Sequence, residues 1–91
     1  MPYINRADRG KYQKLLSELA ALIPTDPKER PGNMNYVLSL LIHKVYGTKM
    51  RYADHNEVMG MLSGVNQEFY RRFTAPYEDK KIEEQGDLPE L

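Results

Sequence analysis

The chain has no cysteine, no tryptophan and no net charge, and its apolar residues are scattered in short runs. Without cysteine there is neither a disulfide framework nor a thiolate metal site. A chain of 91 residues must then be stabilised by packing, within itself or across a subunit interface, and a reducing compartment is expected. Thirteen Lys and Arg against thirteen Asp and Glu leave no global field to draw the chain to DNA, RNA or anionic lipid, so long nucleic acid is not an expected partner. The longest apolar stretch, 37–42, is interrupted by Ser39 and falls far short of the about 20 residues that span a bilayer. The first ten residues hold no apolar signal-peptide core. These absences lead to the expectation of one small cytoplasmic domain over 1–91, outside the membrane, with a short flexible tail at 86–91.

Catalytic signatures are also missing. His43 and His55 show no HxxxH or HExxH spacing, no serine sits in a GxSxG turn, and neither a GxxxxGK[ST] nor a GxGxxG phosphate loop occurs. No catalytic residue, metal site or cofactor is assigned, and the chain reads as a non-enzyme.

What is present is helical periodicity. Tyr12, Leu15, Leu16, Leu19, Leu22 and Ile23 recur at i, i+3, i+4 spacing and predict a helix over 6–23, with Asn5 or Asp8 at its start and Pro24 at its end. The run PTDPKERPGN predicts a loop over 24–33, because three prolines remove amide donors and push their predecessors to extended shapes. Asn33 then caps a second helix over 34–46, striped by Met34, Val37, Leu38, Leu41 and Val45 and stopped by Gly47. Asp54 and Glu57 read as a capping box for a third helix over 55–74. Its stripe is Val58, Met61, Leu62, Val65 and Phe69, with Phe73 beyond. Gly60 and Gly64 each cost about 1 kcal/mol against alanine inside that helix, which points to a neighbouring helix, a ligand or a symmetry mate passing close. Pro76 predicts a kink or a restart, followed by a short helix over 77–85. The expected fold is all-α: a small bundle of three main helices plus a short C-terminal one, with Leu15, Leu16, Leu19, Leu38, Leu41, Val45, Val58, Leu62, Val65 and Phe69 in its core.

Two further features bear on function. Seven tyrosines against two phenylalanines is an aromatic choice that leaves several phenols seeking water, a polar partner or another subunit, so a homo-oligomer is expected. Residues 1–14 carry four basic and one acidic side chain and residues 57–91 four basic and eight acidic, so the two ends are expected to attract.

The densest cluster of aromatic and cationic groups runs from Glu68 through Phe69, Tyr70, Arg71, Arg72 and Phe73 to Tyr77 and Lys80. On a helix Glu68 reaches Arg71 and Arg72 at i+3 and i+4, giving a surface ion pair. The alternative is a ligand site. Tyr70 or Tyr77 would stack on a base while Arg71, Arg72 and Lys80 grip phosphate, and Asn35 and Tyr36 at the start of helix two would add exposed amides and a second aromatic wall. Tyr70 and Tyr77, seven apart, would share a face of an unbroken helix.

The run EFYRRFTAPYEDKKIEEQGD, together with NMNYVLSLLIHKVY and the opening PYINRADRGKY, resembles a family of short uncharacterised proteins associated with bacteriophage genomes and prophages. The family's Gly-Asp-Leu-Asn-Tyr type segment before helix two is Gly32-Asn33-Met34-Asn35-Tyr36 here, so an acidic group is replaced by a neutral one. The resemblance implies provenance and fold and transfers no catalytic residue. By analogy with other small phage proteins it implies a non-catalytic binder, either of a nucleotide-derived anionic ligand at a subunit interface or of a host protein that it inhibits or adapts.

Overall fold

The computed structural model describes residues 3–91, and the fold is all-α: among those residues no strand occurs. The helices are α1 (Gly10–Leu22), α2 (Arg30–Tyr46), α3 (Tyr52–Phe69) and α4 (Ala75–Gln85). A 3-10 turn, Arg6–Asp8, precedes α1, and a π turn, Tyr70–Thr74, joins α3 to α4. The chain divides into two units, Met1–Asp54 and His55–Leu91.

In the first unit the helix starts differ from expectation for local reasons. The 6–23 helix loses its first turn to the 3-10 segment, and neither Asn5 nor Asp8 supplies a side-chain cap. Instead the Asp8 amide donates to the Asn5 carbonyl (3.0 Å) and the Arg9 side chain donates to the Ile4 carbonyl (3.2 Å). The 24–33 loop is shorter than expected, because α2 begins at Arg30 and takes Pro31 into its first turn. A proline there forfeits only an amide that has no helical partner in any case. The turn into α2 is made by Asp26, whose carboxylate accepts from the Lys28 amide (3.0 Å) and whose carbonyl accepts from the Glu29 and Arg30 amides (3.0 and 2.9 Å). Asn33, expected as a cap, lies inside the helix and donates its amide nitrogen to the Glu29 carbonyl (2.8 Å). Gly47 ends α2 as expected, at φ 78°, where an L side chain would be strained.

At the start of α3 the capping box is displaced by one turn. Asp54 sits three residues past Arg51 and accepts from the Arg51 amide (2.9 Å), the role of the box's second member, and its partner Glu57 is not part of that bond. The expected short C-terminal helix is present as α4, with Pro76 in its first turn, and is joined to α3 through the π turn. Phe69, Thr74 and Ala75 all have right-handed helical dihedrals, so the backbone runs as one helix over 52–85. Proline lacks an amide and its ring collides with the carbonyl four residues back. A wider turn just ahead of it relieves that collision, and the Ala75 amide accordingly reaches back five residues to the Tyr70 carbonyl. Gly86 (φ 91°) ends α4, and the tail folds into a local turn through Leu91 to Leu88 (3.0 Å).

The expected core is not an interior. No described residue is buried, and Leu15 (64% exposed), Leu41 (52%), Val45 (71%) and Phe69 (60%) remain open to solvent. Leu19 and Val58 are half-buried. The elements that pack on each other are neighbours in the chain, the 3-10 turn with α1 and the π turn with α4. Periodicity therefore identified apolar faces correctly, but within each unit those faces stay open. Gly60 and Gly64 follow the same pattern: a β-carbon at either would meet nothing within 4 Å, so nothing in their own unit explains them.

Candidate functional site

The residues singled out by sequence fall in two groups. Tyr70, Arg71, Arg72, Tyr77 and Lys80 lie in the second unit, on the π turn and α4, whereas Asn35 and Tyr36 lie in the first unit on α2. Because α2 begins five residues before Asn35, the amides of Asn35 and Tyr36 belong to the helix and are not the open amides of a helix start. Asn35 accepts a hydrogen bond from the Ser39 hydroxyl (3.1 Å), and Tyr36 is exposed beside Ser39, Leu40 and His43 over an open depression on that helix.

The aromatic and cationic cluster is organised by Glu68. Its Oε1 accepts from Arg71 Nη2 at 2.5 Å and pairs with Arg72 Nε at 3.4 Å, as the i+3 and i+4 spacing required. The carboxylate is only 18% exposed, while the Arg71 and Arg72 side chains are 70% and 54% exposed. One carboxylate thus shields itself under two guanidiniums, and the turn keeps one positive charge in excess. Pairs this open contribute no more than about 1 kcal/mol each.

Tyr70 is engaged differently. Its phenol hydrogen-bonds to the Glu78 carboxylate, and that bond, with the negative charges of Glu78 and Asp79, raises its pKa above the ordinary tyrosine value. Glu78 was missed from sequence because eight residues is not a contact spacing on a regular helix. The π turn inserts one residue without a corresponding rotation and so brings the two into line. The Phe69 and Phe73 rings lie 5.2 Å apart, and a π turn shifts the helical register of the residues beyond it, Tyr77 among them. Lys81 lies over the Tyr77 ring (5.7 Å) and pairs with Glu84 (3.4 Å), and Lys80 is exposed.

Chemically this is a surface of apolar and aromatic side chains flanked by partly neutralised charge. The depressions along it are open, such as the one lined by Tyr77, Glu78, Lys81 and Ile82 on α4. Among the described residues no three His, Asp or Glu side chains are grouped to hold a metal ion, and no helix is long and apolar enough to cross a membrane.

No curated protein and no solved structure is similar to the chain. A family model described as a domain of unknown function (DUF6899) matches residues 1–88, nearly the whole length. The chain therefore belongs to the DUF6899 family.

Proposed function

We propose that this protein is a small, non-catalytic, cytoplasmic binding protein of phage type that works by protein–protein contact along its apolar helix faces. The observation that carries this reading is the side of the 52–85 helix on which Val65, Phe69, Phe73 and Tyr77 are each about three-fifths exposed. Contiguous apolar surface of this kind marks an interaction site in a soluble protein. The phage provenance is supported by the EFYRR and PYEDKK runs of the resemblance. A photo-crosslinking amino acid at Phe73 tests the reading. Adducts to a polypeptide, either in the purified protein or in host extract, are expected, and their absence from both would overturn it.

A second reading has its own support in the Glu68 cluster, where two guanidiniums share one carboxylate oxygen beside Tyr70. The surplus charge suits a small anion such as a nucleotide phosphate, with an aromatic ring at hand for stacking. On this reading Arg71→Ala loses roughly 1.5–3 kcal/mol of nucleotide binding, the range for a hydrogen bond to a charged group. A thermal-shift screen of mono-, di- and cyclic nucleotides that leaves both proteins unmoved would remove it.

A further inference from the structure

The apolar side of the 52–85 helix has a regular pattern once the π turn is taken into account. Val58, Leu62, Val65, Phe69, Phe73 and Tyr77 are spaced by four, three, four, four and four residues. The fourth interval contains the residue that the π turn adds. Discounting it, the spacing becomes four, three, four, three, four, the alternation that makes a straight seam for pairing two helices. Proline and π turn together thus keep the seam straight through a point where a plain α-helix would carry Phe73 and Tyr77 off to one side.

The composition of the seam identifies the occupant. Its first half is aliphatic (Val58, Leu62, Val65) and its second half aromatic (Phe69, Phe73, Tyr77). We infer that the seam is covered by the same seam of a second copy of this chain running antiparallel. This rests on the protein-contact reading above and names its partner. In that arrangement Val65 meets Phe69 of the second copy, Leu62 meets Phe73 and Val58 meets Tyr77. Every layer then joins one aliphatic and one aromatic side chain, so layer volumes stay nearly even, as close packing demands. A parallel pair would instead stack valine on valine at one end and ring on ring at the other. The antiparallel contact is isologous and closes as a two-fold dimer.

The area suffices. Three aromatic side chains of about 150–250 Å² each, three-fifths exposed, with Leu62, Val65 and the flanking Met61, offer on the order of 600 Å² per copy. The pair buries about 1,200 Å², above the roughly 1,000 Å² that a specific interface needs. Within the His55–Leu91 unit Val65, Phe69, Phe73 and Tyr77 stay open.

The full-length chain, which has no cysteine to interfere, suits single-site spin labelling. Labels at Gln67→Cys and, separately, Asn56→Cys sit on the side of α3 away from the seam. Light scattering should return about 21 kDa, twice the 10.6 kDa of one chain. In an antiparallel dimer Gln67 lies at the centre, so its two labels should be about 20 Å apart, whereas the Asn56 labels should be separated by about 35 Å along the axis. Short distances at both positions would mean parallel pairing, and no measurable distance at Gln67 would mean association through another surface. A mass of one chain at high micromolar concentration would mean no self-pairing. Each of these three results overturns the proposal. The monomer result leaves the protein-contact reading standing if Phe73 still crosslinks to another polypeptide in extract. Tyr77→Ala, which spares α3, should weaken the dimer at least tenfold while circular dichroism stays helical. An unchanged dimer would overturn the proposal.

Discussion

Pro31 and Pro76 are the same residue set into helices at two places, and the backbone treats them differently. Pro31 stands in the first turn of α2, where its missing amide has no helical partner to lose, and the helix starts around it without adjustment. Pro76 stands far inside the 52–85 helix, and the turn ahead of it widens to five-residue hydrogen bonding. The first proline sets only where a helix begins. The second shifts the register of the side chains beyond it, and Tyr70 meets Glu78 across the π turn. A proline is thus a boundary mark in one context and a phase adjustment in the other.

If the phase adjustment serves a covered seam, truncating that seam should have the largest effect. Phe69→Ala should destabilise the protein by about 3–5 kcal/mol, the cost of emptying a packed aromatic site. An exposed ring with no partner would instead change stability by less than about 0.5 kcal/mol in a denaturant titration. Pro76→Ala comes next and sharpens the contrast, because removing a proline from a helix interior ordinarily stabilises by about 3 kcal/mol. Here it frees the π turn to relax and rotates Tyr77 off the line of Phe69. Helicity should rise while self-association weakens about tenfold, or about 1.4 kcal/mol; tighter association would mean that the π turn has no part in the seam.

Glu68→Gln should cost less than about 1 kcal/mol, since its two ion pairs are largely open to solvent. The Tyr70–Glu78 bond is read optically. Because the folded-state pKa of Tyr70 is raised above 10.0, its contribution to stability is complete below the unfolded value and is lost as pH rises through the folded one. Glu78→Gln should bring the phenolate absorbance transition down toward the ordinary tyrosine range; an unmoved transition would remove Glu78 as the cause. Smallest of all, Pro31→Ala should change thermal stability by no more than about 0.5 kcal/mol, because nothing after α2's first turn depends on it.

The contrast also explains what the sequence revealed. Helix type and apolar faces were legible because Leu15, Leu19, Leu38, Leu41, Val58, Leu62 and Val65 repeat at helical spacing, a signal that depends only on the chain's own geometry. The pairing of Glu68 with Arg71 and Arg72 was legible for the same reason. Helix starts were misplaced at Asn33 and Asp54 because capping residues also bond inside a helix or back toward its start. Burial was not legible, since periodicity shows that a face is apolar and not what lies against it. The Tyr70–Glu78 contact depended on a π turn, and the sequence marked its place only by a proline read as a kink or restart. The three consecutive intervals of four from Val65 to Tyr77 were the available signal.

On the proposed reading, apolar helix faces left open in one chain are covered by another polypeptide chain, the second copy foremost. Thermal unfolding followed by circular dichroism over a wide range of protein concentration tests it most directly, because association that stabilises the folded chain makes Tm depend on concentration. A strongly helical protein whose Tm climbs steadily as concentration rises is expected. A Tm that stays constant across the range, with helicity retained at the lowest concentration, would contradict it.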